Sequence, residues 1–440
     1  MDEVSVIPVE VHCRPTRVND TELSKVITSF IRQRHAVIHP GEILSLKNAS
    51  DLITATVEQL RVCDVYCPQH GIAADEADYA PVMYALHMDE YYDVPLEDGE
   101  FDVDDSMALP SCSVMRLPNA SLEGLWESLF YGETLHDSAL LKRDLLQYMR
   151  TAMVFSNAGV DPHIIAWNRL LLLHGPPGTG KTSLCKALAH KLAIRLGDLF
   201  PTTLLVEINA HSLFSRWFSE SGKQVMLLFK RIHAMAEESN CLLCVLVDEV
   251  ESLAAARQSA MKGNEPSDAI RVVNALLTQL DNLRRRRNVV VLATSNITGA
   301  IDVAFIDRAD KKIYLGAPGL QARLAILKSG TQEMLRRSLV RPVNSSNGEC
   351  THEEKCSFME TREVGLGEKE LQLLESIARK CDGFSGRTLK KLPFLAYSEH
   401  TRGGGGDTLG CYAISFTAYA NGLMSAAEAE ESAQRSMAAS

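Results

Sequence analysis

Leu170-Leu171-Leu172-Leu173-His174-Gly175-Pro176-Pro177-Gly178-Thr179-Gly180-Lys181-Thr182 is the stretch on which the reading of this chain turns. An apolar run of strand length ends in G-x-x-x-x-G-K-T, and Leu184, Ala187, Leu188 and Leu192 follow at helical spacing. The order has a physical reason. Glycines let backbone N–H groups turn inward around phosphates, and the next helix adds the partial positive charge of its N-terminus. Lys181 is then placed to bridge the outer phosphates of a nucleotide, and the Thr182 hydroxyl to bind Mg²⁺. A chance octapeptide in a loop would lack both the strand before it and the helix after it.

Working outward, residues 204–208, 241–247 and 289–293 are further apolar runs of strand length, separated by amphipathic stretches as far as Pro318. Such alternation predicts an α/β fold with a parallel sheet. The run at 241–247 ends in Asp248-Glu249, 66 residues beyond Thr182. An aspartate at a strand tip can complete a Mg²⁺ shell, and the adjacent glutamate can polarise an attacking water. The run at 288–293 leads into Thr294-Ser295-Asn296, where an amide can hold the water and the γ-phosphate. After Pro318 the pattern turns helical, broken by a polar segment at 344–370, and residues 425–440 read as a final helix or a frayed end. Residues 122–148 read as helical and residues 5–11 and 52–57 as short strands. The expected division is an N-terminal domain over 1–117, the α/β domain over 118–318 and a helical domain over 319–440.

Composition closes off other classes. Of 440 residues, 46% are hydrophobic and 23% charged, ordinary for a folded chain with a real core. The net charge of −11 argues against a surface devoted to nucleic acid. Met1-Asp2-Glu3-Val4 does not resemble a secretory leader, and no apolar run reaches the roughly 18 residues of a membrane span. The 11 cysteines are scattered. Cys241 and Cys244 lie in a strand-like run, Cys63, Cys67 and His70 make a weak metal candidate, and free thiols in a reducing compartment fit better. Residues 89–105 hold nine acidic side chains, read as a solvated loop or as a docking surface for a basic partner. Arg284–Arg287 reads as a solvated turn or as a basic patch.

Together these motifs resemble the AAA+ ATPases. Asn296 resembles their first sensor, residues 296–308 their second region of homology with Arg308 as arginine finger, and Gly383-Phe384-Ser385-Gly386-Arg387 their second sensor at the start of a lid helix. Within that superfamily the chain is similar to the pachytene checkpoint family. The likeness rests on Gly124-Leu125-Trp126-Glu127-Ser128-Leu129, on residues 167–186 and 207–223, on Asp248-Glu249-Val250-Glu251-Ser252-Leu253, and on residues 265–275 and 384–395. It runs from about residue 122 to about residue 400. Where many AAA+ members carry two arginines, Phe305-Ile306-Asp307-Arg308-Ala309-Asp310 offers only Arg308.

The resemblance implies an AAA+ phosphate-loop sheet with a small C-terminal helical lid and an α+β N-terminal domain. It implies ATP with Mg²⁺ bound by Gly175, Pro176, Pro177, Gly178, Thr179, Gly180, Lys181, Thr182 and Asp248, and catalysis by Glu249, Asn296, Arg308 and Arg387. Arg308 could alternatively be a structural ion pair with Asp302 or Asp310. Trp217 and Phe218 would line the pore of a homo-oligomeric ring, expected to be a hexamer, and grip an extended polypeptide; a patch packed under the next helix is the alternative. The implied substrates are HORMA-domain proteins, converted from closed to open form with a HORMA-type adaptor. The implied settings are meiotic chromosome axes and the spindle checkpoint, in the nucleus and also the cytoplasm, with no direct nucleic acid and no membrane. A nucleic-acid motor or clamp loader is the alternative.

Overall fold

A computed structural model of the chain describes residues 6–14, 20–39, 41–63, 72–75, 77–88, 112–161, 164–165, 167–210, 221–238, 240–254, 266–297, 301–342, 366–401 and 413–439. It divides into two compact units, the first of residues 1–127, 139–175 and 181–314, the second of 128–138, 176–180 and 315–440. The N-terminal segment and the phosphate-loop sheet therefore fall within one unit.

The N-terminal part begins with β1 (Val6–Cys13), in which Ile7, Val9 and Val11 alternate into the apolar core while Glu10 is buried on the other face. Helix α1 (Asp20–Arg34) buries Leu23, Ile27 and Ile31 at four-residue spacing. Its Asp20 and Glu22 at the start and Arg32 and Arg34 at the end complement the helix dipole. Then come β2 (Val37–Ile38), β3 (Ile43–Leu44), α2 (Asp51–Thr56), β4 (Val57–Val62), β5 (Ile72–Ala73) and β6 (Asp78–Tyr84). The sheet order is β3-β4-β1-β6, with β1 antiparallel to β4 and parallel to β6. Of residues 52–57, read as a strand, 52–56 fold instead within α2, and only Val57 enters β4. The β-branched run is misleading here because Ile53 and Thr56, three residues apart, are the buried pair.

The phosphate-loop sheet is built from β7 (Cys112–Leu117), β8 (Leu170–His174), β9 (Thr202–Asn209), β10 (Cys241–Asp248), β11 (Val289–Ser295) and β12 (Lys311–Tyr314), in the order β12-β8-β11-β10-β9-β7. Between them run α3 (Leu135–Asn157), α4 (Lys181–Arg195), α5 (Ser221–Met235), α6 (Pro266–Arg284) and the short α7 (Val303–Ile306). Every residue of β11 and the first seven of β10 are buried, because helices cover both faces of a parallel sheet. Two details differ from the sequence reading. The strand β7, just inside the expected boundary at 117, pairs antiparallel with β9 as the sheet edge. The helix expected over 122–148 begins only at Leu135 and runs to Asn157, since Gly124 and Gly132 take the left-handed φ values of 74° and 72°.

A buried ion cluster ties β1 and β4 to α4. Lys191 Nζ donates to Glu10 Oε2 at 2.7 Å and lies 2.9 Å from Glu127 Oε1; Arg195 Nε donates to Glu10 Oε1 at 3.0 Å; Arg61 pairs with Glu127 and Glu123. Glu10 is 2% exposed and Lys191 6%. Although burial opposes the charged forms, the cations hold Glu10 below the ordinary carboxylate range and Glu127 at about 2. For carboxylates depressed in this way the stabilisation is complete above the unfolded value near 4.5 and is lost as pH falls toward 2. Lys191→Met leaves two carboxylates without their shared cation and is expected to cost about 3–5 kcal/mol at neutral pH. Urea unfolding checks this, and a loss below 1 kcal/mol, the range of surface pairs, would contradict it.

The second unit is helical: α8 (Leu320–Arg336), α9 (Glu368–Lys380), α10 (Gly386–Thr401) and α11 (Phe416–Ala439), with β13 (Val340–Arg341) paired to β14 (Ile414–Ser415). Leu327, Leu374, Ile377, Phe384, Leu389, Phe416, Tyr419 and Leu423 form its core. Gly422 lets α11 approach α10 closely: a Cβ there would lie 2.8 Å from the Ala396 carbonyl oxygen. Residues 425–439, left open as helix or frayed end, continue α11. Among the described residues, no helix is long and apolar enough to cross a membrane.

Candidate functional site

The carboxyl ends of β8, β10 and β11 bring the predicted residues of the first unit together. The Gly175 N–H donates to Ser295 O at 3.2 Å, so the phosphate loop leaves β8 tied to the tip of its neighbour β11. Lys181, 4% exposed, donates from Nζ to Gly175 O at 2.9 Å, folding back over the start of the loop. Thr182 Oγ1 donates to Asp248 Oδ1 at 3.0 Å, although the two residues are far apart in sequence.

Thr294, quoted only as part of a strand end in the sequence, connects the two carboxylate residues. Its hydroxyl donates to Asp248 Oδ1 and accepts from the Glu249 N–H at 3.3 Å. Glu249 sits at φ 61°, a left-handed conformation uncommon for a side-chain-bearing residue and typical of functional turns. The Asn296 N–H donates to Glu251 Oε1 at 3.2 Å, so Glu251 fixes the backbone of the predicted sensor. Thr294 carries no motif signal, and Glu251 stands only within a segment of likeness, with no role; Thr294 is found through the register of β11 beside β10, which sets Val247 opposite Ala293. Thr182 and Asp248 present oxygen donors only, the chemistry that Mg²⁺ selects, and so fit that ion.

Arg308 follows α7 and is engaged within its own chain. Its Nε and Nη2 donate to Asp281 Oδ1 and Oδ2 at 2.9 and 2.8 Å, and its Nη1 to Ala304 O at 2.6 Å. The pair with Asp281, at the end of α6, raises the arginine pKa. Neither carboxylate considered from the sequence makes this direct pair, although the charge of Asp302 also favours the arginine's charged form. Asp302 caps α7 by accepting from Ala304 N–H at 2.9 Å, and Asp310 accepts from Asn168 Nδ2 at 2.6 Å and from the Tyr148 hydroxyl at 3.2 Å.

Within the second unit, loop residues 176–180 pack with the start of α10. The Arg387 N–H donates to Gly178 O at 3.0 Å, while the Arg387 side chain is exposed. Gly178 has φ 77°, and a Cβ there would lie 2.7 Å from Ser385 Oγ, so both conformation and space demand glycine. The Tyr131 hydroxyl, which the sequence does not flag, donates to Gly180 O at 3.2 Å. Thr179 Oγ1 donates to Pro176 O at 3.0 Å and closes the loop on itself. Trp217 and Phe218 lie outside the described residues, as do Cys67 and His70. Cys63, Cys241 and Cys244 are buried free thiols whose pKa values burial raises to about 12, 11 and 12.

A phosphate loop, an Asp-Glu strand tip and a polar sensor on adjacent parallel strands define an ATPase of the AAA class. Residues 171–317 match the model of the ATPase family associated with various cellular activities (AAA), and residues 319–428 match the TRIP13-like AAA+ ATPase lid C-terminal domain. The pachytene checkpoint protein 2 homologue of Oryza sativa subsp. indica is 45% identical over 406 residues, covering 90% of this chain and 83% of that protein. The Homo sapiens homologue is 40% identical over 403 residues, covering 90% and 88%. The structure of C. elegans PCH-2 superposes with a TM-score of 0.73 at 31% identity, covering 97% of this chain and 99% of that one. The chain belongs to the pachytene checkpoint protein 2 family of AAA+ ATPases.

Proposed function

We propose that the chain assembles into a homo-oligomeric ring, a hexamer, in which ATP hydrolysis drives the opening of closed HORMA-domain proteins presented by a HORMA-type adaptor. The hydrolytic half of this reading rests on one observation, the hydrogen-bonded series Thr182–Asp248–Thr294–Glu249 at the strand ends. The loop 175–180 with Lys181 would hold the phosphates of ATP. Thr182 and Asp248 would hold Mg²⁺, which when bound offsets charge on the phosphate oxygens. Glu249 polarises the attacking water, with Asn296 beside it on the next strand tip. Arg387 reads the γ-phosphate from the lid, and Arg308 reaches the ATP of the neighbouring subunit. Trp217 and Phe218 grip the substrate polypeptide in the pore by apolar contact.

The HORMA half rests on membership of the pachytene checkpoint protein 2 family and on the motifs that carry the resemblance. Meiotic chromosome axes and the spindle checkpoint are the proposed settings, in the nucleus and also the cytoplasm. Steady-state ATPase activity with and without a closed HORMA-domain protein and its adaptor tests it: turnover is expected to rise with both present. Trp217→Ala is expected to keep basal turnover and lose substrate opening. Basal turnover that no HORMA protein stimulates would leave the ATPase and overturn the substrate class.

A further inference from the structure

The phosphate loop uses the carboxyl ends of β8 and β11. Near their amino ends, Arg169 before β8 and Arg284, Arg285 and Arg287 before β11 line a cavity of about 700 Å³. Arg169 is only 6% exposed, and among the described residues its guanidinium donates to carbonyl and hydroxyl oxygens: Val289 O at 2.8 Å, Ser156 Oγ at 2.7 Å, Arg286 O at 2.5 Å and Arg284 O. None is a carboxylate. Burial and the neighbouring charge of Arg284 pull its pKa down to about 10, as expected of a cation facing a like charge.

Arg284 and Trp167 also line the cavity, and Arg284 Nε and the indole Nε1 of Trp167 are buried donors with no acceptor among the described residues. Arg285 and Arg287 stand exposed at its wall. Two carboxylates also line it, Asp161 and Asp281. Asp281 already accepts both donors of Arg308 and one from Arg284 at 3.2 Å, so little of its charge is left for the cavity. Guanidinium groups with several N–H donors suit phosphate oxygens.

We propose that this cavity binds a small phosphate-bearing anion at a site separate from the ATP loop, with the exposed guanidinium groups of Arg285 and Arg287 as donors and the charge of Arg169 and Arg284 behind them. A free polyphosphate and the phosphate tail of a nucleotide present the same oxygens.

Calorimetric titration of inorganic pyrophosphate into the full chain, with the loop site saturated by ADP, tests the proposal. Saturable binding of one pyrophosphate per chain is expected. Arg285→Glu combined with Arg287→Glu, both exposed and so harmless to folding, is expected to raise the half-saturating concentration about tenfold or more, with ADP affinity at the loop unchanged. Two ADP per chain in the wild type and one in the double variant would assign the site to a nucleotide; one in both, with pyrophosphate still bound, would assign it to free polyphosphate. One ADP per chain together with no saturable pyrophosphate binding at millimolar concentration, or equal pyrophosphate affinity in the double variant, would overturn the site.

Discussion

Glu249→Gln is expected to leave ATP bound and to lower turnover by about 10²–10⁴-fold, the range that a positioned general base contributes. The substitution keeps the size of the side chain and the backbone N–H that donates to Thr294, so the strand tip keeps its geometry. Only the charge that draws a proton from water is lost. The left-handed φ of 61° supports the same view, since the surrounding hydrogen bonds hold an unfavourable backbone that aims this side chain. Single-turnover hydrolysis measured beside ATP affinity separates the effects. Tight ATP binding with turnover within about tenfold of wild type would move the base to another residue.

Arg308→Ala is expected to lower turnover about 10³-fold or more, the contribution of an arginine finger, with nucleotide affinity nearly unchanged. In the free chain Arg308 lies along Asp281. That carboxylate is 37% exposed and the arginine side chain 26%, so the pair is worth at most about 1 kcal/mol, and a phosphate with more charge can displace it. Mixing experiments test whether the arginine acts between subunits. Arg308→Ala and Glu249→Gln chains are each nearly inactive. In a mixed ring, an Arg308→Ala subunit keeps its own Glu249 and receives an intact Arg308 from a Glu249→Gln neighbour. Recovered turnover supports action across the interface; none would place Arg308 at its own subunit's ATP.

The parts of the site that were legible in the sequence are those whose chemistry is local. The phosphate loop needs glycines at fixed offsets between a strand and a helix, and Gly178 and Gly180 take the left-handed φ values of 77° and 86° that this requires. Asp248 and Glu249 could be read because a continuous apolar run has to stop where the strand meets water, and the observed β10 ends at Asp248. The helices beyond residue 318 followed from spacing in the same way.

Thr294, Glu251, Tyr131 and Asp281 were not legible as site residues, since each is an ordinary residue until another segment is laid beside it. The registry of β11 on β10 sets the Thr294 hydroxyl against Asp248. The end of α6 carries Asp281 to Arg308, where the sequence suggested only the nearer Asp302 or Asp310. The same holds for Lys191. In sequence it is one more basic residue on a helix, and only packing of β1 against α4 buries it between Glu10 and Glu127.

The sequence by itself determined that this chain folds a phosphate-loop α/β sheet and hydrolyses ATP, because hydrophobic period and loop stereochemistry act over a few residues. Tertiary structure alone decided which side chains complete the site, how the N-terminal sheet is tied to the phosphate-loop helix, and that arginines at the amino ends of β8 and β11 share one cavity. Those outcomes depend on distances between segments as much as 185 residues apart, which no local pattern encodes.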